Sequence, residues 1–577
     1  MVDIPALLII QSMNIGISTE HAEPPSETAG GGERERGRGG EGETRDSILD
    51  PRSSILHSRP LWHLSPAGAL LVLVAATGLL LASHRPLWHT DLWGHLAYGR
   101  LIWESGEIPE TAPLMPLARG VEFIDTAWLS QILEYLTIRE FGVAGLQTLA
   151  GLCVALTGGL LMAVGWRKTG SLIWTLIGAA AWLWLEWKQF FAGGDLSLLI
   201  RPQLAGLLAF VMTLAIVVGG PRWWHWAVVP VLFAAWANLH GSFPVGLALF
   251  GIFAIGRGGD LLRRTDRFGV ILLDWTFWRF VLLGEIAAAA VLLNPYGLRL
   301  YAEVLLFSGN PNLAALVEWE PLTLHMAQGQ AAAGVTLVLL FLYRMTPRRI
   351  QTAEVLALLI LGGMTLWTSR MIVWWAPVAA WCLMMHGAAV WGGGAKARKR
   401  AGASTLPWWR GGVTRANPLW SLTGLAMIAG AIVLTPFGAE QFRGATVPFE
   451  DAVSSRTPLG AARHLSENPP AGLIFNSMEF GDFLMWTNPG MPVFVGSHVH
   501  LVPRDVWVAY LETVRGQSDW DTVLDRYGVN TIVLDRARHQ PLIDRIAENE
   551  DWRRSYQDFN SAVFRRVGSG AMVGGEE

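Results

Sequence analysis

The sequence predicts a mostly α-helical protein that crosses a membrane many times, and three observations support this. Of the 577 residues, 51% are hydrophobic and only 16% are charged, whereas soluble domains carry about 25% charged residues. The mean hydropathy is positive, +0.34. From residue 64 onward, apolar windows of about 18 residues recur, which is the length needed to cross the hydrocarbon core of a bilayer. The lipid bilayer is therefore the first partner that the chain requires.

Three regions follow one another along the chain. Residues 1–60 include the low-complexity run Gly30–Glu43, which cannot bury a core, so we expect a disordered cytoplasmic tail there. Residues 61–438 contain the apolar windows. Residues 439–577 return to an ordinary charge density, with strand patterns between helical ones, which predicts a small extracytoplasmic α/β domain.

Eleven windows are predicted to span the membrane, and the positions of Lys and Arg orient them. Cytoplasmic connections carry more of these residues than outer connections do. With the amino terminus inside, the inner connections hold about twice as many as the outer ones. This predicts a multi-pass membrane protein with its last domain outside. The predicted spans are 65–83, 143–165, 171–187, 202–219, 223–238, 241–257, 278–295, 329–345, 352–368, 371–391 and 418–437.

The carboxy-terminal domain is predicted to contain a largely parallel sheet, because its strand patterns alternate with helical ones. No glycine-rich phosphate-binding motif opens any of its helices, so a nucleotide site is not expected there. We expect residues 445–577 to fold on their own. The predicted strands are 473–476, 492–495, 531–535 and 562–565, and the predicted helices are 506–515, 520–527 and 542–548.

The first outer connection, residues 84–142, is predicted to be structured and to lie along the membrane surface. Connections longer than about 12–15 residues are usually functional or disordered. In this one, Asp91 is placed to cap a helix over Leu92–Ser105, and Asp125 is placed to cap a second over Thr126–Phe141. Both helices have apolar faces, as expected of helices at an interface.

Polar and ionisable side chains collect in five outer connections, at one predicted membrane level. A cleft at the outer interface would require this arrangement. Arginine is depleted on the outer side, so an arginine there suits an anionic headgroup or a phosphate. The candidate site residues are Asp91, His95, Asp125, Arg201, Asn238, His240, Asn294, Glu318 and Arg370.

Each candidate also has a purely structural explanation. Capping alone explains Asp91 and Asp125 as well as catalysis does. Asp91 and His95 share a helical face and are compatible with a metal or acid–base pair, but no third ligand is spaced nearby, so a local hydrogen bond is favoured and no metal ligand is predicted. Arg201 precedes a proline and fits an interfacial anchor equally well. The segment Asn238–His240 fits a tight turn.

Charge and cysteine content exclude other classes of protein. The formal net charge is −3, which gives no positive field for nucleic acid. The two cysteines, Cys153 and Cys382, both lie in apolar runs, so neither a disulfide framework nor a Cys-x-x-Cys metal site is expected.

Short motifs follow one another along the outer connections. They are HTDLWGHL at 89–96, DTAWLSQ at 125–131, RPQ at 201–203, AWANLHG at 235–241, NPYG at 294–297 and EWEP at 318–321, with EFG at 479–481 and FVG at 494–496 in the last domain. Together they resemble bacterial GT-C-type membrane glycosyltransferase-like proteins of the polyprenyl-phosphate-sugar-dependent class. The resemblance covers residues 64–535. The sequence departs from it at Gly94, where relatives often have an acidic residue or Trp, and at Gly496, where they have Asp.

The resemblance implies a reaction and a role for each candidate. GT-C enzymes take a sugar from a polyprenyl-phosphate carrier at the outer membrane face, and an acidic residue of the first outer loop serves as general base. Carried over by position, Asp91 is the base and Asp125 the second carboxylate. Arg201 and Arg370 would stabilise the leaving phosphate. The acceptor (glycan, lipid or protein) and any divalent cation stay open. The remaining candidates for substrate binding are His95, Asn238, His240, Asn294 and Glu318.

Two other functions are compatible with the sequence. A transporter or flippase for a lipid-linked glycan would place ionisable groups near the middle of the membrane, and Glu285 in the seventh predicted span fits that description. A catalytically inactive GT-C relative would instead act as a binding protein through its last domain.

Overall fold

The computed structural model describes residues 64–400, 417–517 and 519–567. These residues form a helical bundle followed by a small mixed α/β region. The tail predicted over residues 1–60 lies outside the described residues. The described residues belong to one compact unit.

Among the described residues, eleven apolar helices build the bundle, and each predicted span coincides with one of them. The agreement follows from hydropathy, which is a local property of the chain and does not depend on distant contacts. The helices are Pro66–Ser83, Trp128–Thr169, Leu172–Phe190, Gln203–Gly219, His225–Leu239, Phe243–Thr265, Trp275–Val291, Ala327–Met345, Thr352–Trp367, Ile372–Arg400 and Pro418–Leu434.

Helix length supports fewer spans than the eleven predicted. Within the described residues, four helical segments are long and apolar enough to cross a membrane, and one bent pair of helices, at 81°, would make a fifth. Three further apolar helices are shorter than 18 residues. The eleven-span topology therefore stays a prediction. The four segments are Pro66–Ser83, Trp128–Thr169, Phe243–Thr265 and Ser369–Trp391.

The first outer loop contains the two predicted helices, but the second differs in its extent. The first is Leu92–Ser105, as predicted. The second begins at Trp128 and continues to Thr169, with a break at Gly142, where φ is 64° and ψ is −168°. Only glycine adopts that conformation without a steric penalty. The loop helix and the following membrane helix are thus joined at a kink.

Shorter elements complete the connections. A two-stranded antiparallel hairpin joins Phe191–Ala192 to Ser197–Leu198. The bent pair ends with the helix Pro436–Arg443. The short helices are Gly269–Leu273 and Arg299–Leu306, and the single-turn helices are Pro116–Ala118, Phe307–Gly309, Leu313–Ala315, Val317–Trp319, Ser369–Met371 and Val499–Leu501.

The carboxy-terminal region contains one four-stranded sheet, and the prediction of a largely parallel sheet is wrong. Only the first pair of strands is parallel, and the other two pairs are antiparallel. The predicted strand at 492–495 is reduced to a single bridge between Val493 and Ile474. The strand order is Leu473–Asn476, Val529–Asp535, Ser561–Arg566 and Trp552–Gln557.

Six helices accompany this sheet. Three lie near their predicted positions, and the other three, Phe449–Ala452, Leu459–Glu467 and Met478–Thr487, were not predicted. The helices are Phe449–Ala452, Leu459–Glu467, Met478–Thr487, Arg504–Val514, Trp520–Arg526 and Arg536–Ala547.

The carboxy-terminal region packs directly against the loop 84–142 and the adjoining ends of the bundle helices. The fully buried ring of Trp93 meets Phe449 at 5.9 Å and Phe483 at 5.1 Å between ring centroids. The amide of Asn312 donates to the backbone carbonyls of Val499 at 2.9 Å and Val502 at 2.7 Å. The predicted boundary at residue 439 and independent folding of this region stay predictions.

Candidate functional site

A polar cleft lies where the loop 84–142, the adjoining ends of the bundle helices and the carboxy-terminal region meet. Its volume is about 160 Å³. Seven of the nine residues predicted from the sequence line it, although they come from different outer connections. These seven are Asp91, His95, Asp125, Arg201, His240, Glu318 and Arg370.

Four of these side chains form a chain of alternating charge along one wall of the cleft. Arg201 Nε lies 2.5 Å from Asp91 Oδ2, and Arg201 Nη1 lies 3.1 Å from Glu318 Oε2. Arg370 Nη1 lies 2.6 Å from Glu318 Oε1. The four side chains are between 21% and 32% exposed. Their formal charges sum to zero, so the cleft holds two arginines without a net positive charge.

Glu318 is the link between the two arginines. Burial raises its pKa, but Arg370 and Arg201 together outweigh that effect and hold the pKa of Glu318 below its ordinary value. The carboxylate is therefore ionised at neutral pH and keeps both guanidinium groups facing the cleft. The ring of Trp319 lies 5.4 Å from the Arg370 guanidinium carbon, a distance at which a cation–π interaction adds to this positioning.

Asp91 has a strained backbone, and the interpretation of its side chain as a helix cap is wrong. Its φ is 60° and its ψ is −57°, and the Leu92 N–H donates to the Thr90 carbonyl at 2.7 Å. This is a γ-turn of the rare, strained type. The Asp91 side chain makes no capping hydrogen bond to the described helix Leu92–Ser105, and it faces Arg201 instead.

Asp482 lies directly behind this turn and was not predicted as a site residue. Its side chain, 1% exposed by residue, accepts hydrogen bonds from the backbone N–H groups of Asp91 (3.0 Å) and Ser497 (2.9 Å). Burial, and then the charge of Asp91, raise the pKa of Asp482 to about 7. Gly94 and Gly496, where the sequence departs from the proteins it resembles, both contact this carboxyl group. One available signal was the apolar run around position 482, typical of a buried segment.

Asp125 is almost completely buried, at 3% exposure. Its Oδ1 accepts hydrogen bonds from the Ala127 N–H at 2.9 Å and from Gln131 Nε2 at 3.1 Å, so one oxygen supports the start of the helix at Trp128. Its Oδ2 has no hydrogen-bond partner among the described residues. Burial raises the pKa of Asp125 to about 7, which makes this carboxyl group able to exchange a proton near neutral pH.

Four imidazoles gather around the cleft, and two of them, His498 and His500, come from the carboxy-terminal region. The His95 and His498 rings are 5.1 Å apart, and the His498 and His500 rings are 5.7 Å apart. Burial lowers the pKa of His498 to about 4 and those of His500 and His240 to about 3. Neutral imidazoles can form hydrogen bonds with a polar substrate but do not add positive charge.

Among the residues that the structure describes, no group of three His, Cys, Asp or Glu side chains is arranged to hold a metal ion. The divalent cation that the sequence left open therefore has no ligand set in the described part of the chain.

The two asparagines among the predicted residues do not line the cleft but brace it. Asn238 donates to two backbone carbonyls, at 2.7 and 2.9 Å, and accepts from Trp128 Nε1 at 3.0 Å. Asn294 Oδ1 accepts from the Tyr296 N–H at 2.7 Å, and the Tyr296 hydroxyl accepts from the Asp125 N–H at 3.0 Å. Asn294 thus supports Asp125 through one intermediate residue.

An apolar groove of about 730 Å³ lies between the helices Ala327–Met345 and Thr352–Trp367. Leucine, alanine, glycine and threonine side chains form most of its wall. The groove extends to Leu322 and Thr365, and these residues lie only a few positions from Glu318 and Arg370. Its outer end is therefore close in the chain to the arginine end of the cleft.

No protein-family model and no curated protein sequence matches this chain. Solved structures do match it. The archaeal oligosaccharyltransferase AglB from Archaeoglobus fulgidus, in complex with an inhibitory peptide and a dolichol-phosphate, has 12% identity and a TM-score of 0.49, over 81% of this chain and 69% of that one. ArnT from Cupriavidus metallidurans, bound to undecaprenyl phosphate, has 16% identity and a TM-score of 0.45, over 88% and 99%.

Proposed function

We propose that this protein is a membrane glycosyltransferase that moves a sugar from a polyprenyl-phosphate carrier to a hydroxyl group at the outer face of a bacterial plasma membrane. The observation that carries the proposal is the placement of Arg201 and Arg370 in one cleft, together with an apolar groove whose lining reaches to within a few positions of Glu318 and Arg370 along the chain. Guanidinium groups bind phosphate through paired hydrogen bonds, and an apolar groove suits an isoprenoid chain. A lipid-linked phosphate fits both features.

The two arginines would stabilise the leaving phosphate. In the resting site they bind carboxylates, Arg201 to Asp91 and Arg370 to Glu318. A donor phosphate would replace the Asp91 carboxylate as a partner of Arg201. This exchange both positions the donor and releases Asp91 from its ion pair. Developing negative charge on the phosphate is then stabilised by preorganised cations.

Asp91 would act as the general base. The acceptor oxygen attacks the anomeric carbon, the bond from that carbon to the phosphate oxygen breaks, and the Asp91 carboxylate takes the hydroxyl proton. Because attack and departure occur on opposite faces, the anomeric configuration inverts. Asp125, whose free Oδ2 is buried at the wall of the cleft, is the alternative base.

A second pocket, of about 310 Å³, provides room for the acceptor. It shares Glu303, Phe307 and His500 with the cleft. A carboxylate and a neutral imidazole can form hydrogen bonds with hydroxyl groups, and an aromatic ring packs against the apolar face of a sugar. These residues favour a hydroxyl-bearing acceptor such as a glycan.

The direct test is to incubate the purified protein with polyprenyl-phosphate sugars and to measure release of the lipid phosphate. The wild type should release it, and Arg370→Met should release at least tenfold less. Arg139→Met is a matched control, because Arg139 is an exposed arginine that does not line the cleft; it pairs with its neighbour Glu140 and lies over the rings of Trp103 and Tyr135. Donor binding without release would contradict transfer and favour a binding protein or a transporter.

A further inference from the structure

The backbone of Asp91 depends on a residue that lies 391 positions later in the chain. Residues in rare backbone conformations persist only where surrounding contacts over-determine them. At Asp91 the N–H group donates to Asp482 Oδ2 at 3.0 Å. No other hydrogen bond to the Asp91 N–H is found among the described residues. Asp482 therefore supports the strained turn from outside, beside the hydrogen bonds that the Leu92 N–H donates to the Thr90 carbonyl and the His95 N–H donates to the Asp91 carbonyl.

The space around Asp482 fits this purpose. A Cβ atom at Gly94 would lie 2.9 Å from Asp482 Cγ, and one at Gly496 would lie 2.7 Å from Asp482 Oδ1. Contacts this short do not occur between real Cβ atoms and their neighbours, so both positions require glycine while the carboxyl group stays in place. The carboxyl group of Asp482 is enclosed between the first outer loop and the carboxy-terminal region.

The second oxygen of Asp482 connects the turn to the other wall of the cleft. Oδ1 accepts the N–H of Ser497 at 2.9 Å, and Ser497 directly precedes His498, which lines the cleft. One carboxyl group thus holds two backbone segments, one carrying Asp91 and one carrying His498 and His500.

We propose that Asp482 is a positioning residue, which fixes the turn of Asp91 and so directs the Asp91 carboxylate toward Arg201. The carboxy-terminal region, which contains Asp482, is then a necessary part of the site. The effect on rate rests on the proposed function, whereas the effect on the Asp91 backbone does not. Small displacements of a reacting group, of about 1 Å, can lower a rate about 10²-fold.

Two full-length variants test whether Asp482 positions Asp91, one by changing the Asp482 side chain and the other by displacing it. Asp482→Asn keeps the shape but offers one acceptor oxygen in place of two, and Gly94→Ala displaces the carboxyl group without changing it. Both should speed amide hydrogen exchange in a peptide covering residues 88–95 by about tenfold or more, since one backbone hydrogen bond is lost. Both should lower kcat by about 10–100-fold and leave donor KM within about twofold of the wild type. Thr513→Val is the control, because Thr513 is buried in the same region and bonds only within its own helix.

Amide exchange reports on the Asp91 backbone, and the kinetics report on the reaction. Unchanged exchange at residues 88–95 in both variants would overturn the proposal, as would faster exchange there with kcat intact. Faster exchange in the strand Val529–Asp535 for both variants would also overturn it, since Asp482 would then be supporting the fold. If the wild type releases no lipid phosphate, the proposed function fails, and the exchange measurement still decides whether Asp482 holds Asp91.

Discussion

Replacing Asp91 by Asn tests the proposed base without disturbing the turn that presents it. Asparagine adopts positive φ more readily than most residues, so the turn at φ 60° should be retained. The amide oxygen can still accept a hydrogen bond from Arg201 Nε. Broken ion pairs cost from about 0–1 kcal/mol when exposed to about 3–5 kcal/mol when buried. This pair is about one-fifth exposed, so we expect the free energy of unfolding to fall by about 1–2 kcal/mol.

Asp91→Asn is expected to lower kcat without raising donor KM. With Asp91 neutral, the four-residue charge chain changes from a net charge of zero to +1, and the carboxylate that competes with phosphate for Arg201 is gone. Donor KM should therefore stay the same or fall. Loss of a general base lowers the rate about 10²–10⁴-fold, so kcat should fall by that factor. Release of lipid phosphate at several donor concentrations separates the two parameters, and thermal unfolding in the same detergent gives the stability.

Asp266→Asn is the matched control, because Asp266 is the other described aspartate with positive φ, at 51°, and it lies outside the cleft. It should leave both parameters unchanged. The assignment of Asp91 as base would be refuted by an Asp91→Asn protein that keeps more than one-tenth of kcat. A raised donor KM with an intact kcat would refute the competition between Asp91 and phosphate.

Three other predictions concern donor binding, pH and topology. Arg201→Lys keeps a charge but cannot hold two carboxylates or a phosphate through paired hydrogen bonds. Donor KM should therefore rise about tenfold, with a smaller change in kcat. Equal falls in kcat and kcat/KM would contradict this. Burial raises the pKa of Asp125 from 3.8 to about 7 in the folded protein. The free energy of unfolding therefore falls as the pH rises from 3.8 toward 7, because the unfolded chain releases this proton first. Asp125→Asn cannot ionise, and its unfolding temperature should exceed that of the wild type more at pH 8 than at pH 5; an equal difference at both would contradict the shifted pKa. In a cysteine-free background, a cysteine replacing Asp521 should react with an impermeant maleimide from outside, and one replacing Arg398 only after the inner face is opened; labelling of both from one side would exclude the predicted topology.

The helices could be predicted from the sequence because their signal is local. The helix Leu92–Ser105 was predicted to the residue, since a turn residue, a period of 3.6 and a terminal glycine all mark it. The strand Trp552–Gln557 was missed because its pattern is polar: most of its residues are exposed at the edge of the sheet. That strand forms an antiparallel pair with Ser561–Arg566, which is why the predicted parallel sheet was wrong.

The cleft could be predicted only in part, because some of its residues are placed by contacts with distant parts of the chain. Excess polar residues on one side of a membrane protein are visible in the sequence, and they identified Arg201, Glu318 and Arg370. The γ-turn at Asp91 has no local signal, because its conformation is imposed by Asp482 from a distant part of the chain. The same holds for His498, which reaches the cleft only when the carboxy-terminal region packs against the first outer loop.

The neutral charge chain determines which anions can occupy the cleft. Arg201 and Arg370 already have carboxylate partners, so a free phosphate or chloride ion arriving from the aqueous side must break ion pairs and gains only its own contacts in return. A phosphate on a lipid is confined to the membrane, and anchoring its chain in the neighbouring groove would present it to the arginines at a high effective concentration. Because each arginine is already paired, the cleft would be open to water and yet would select an anion that is delivered from the bilayer.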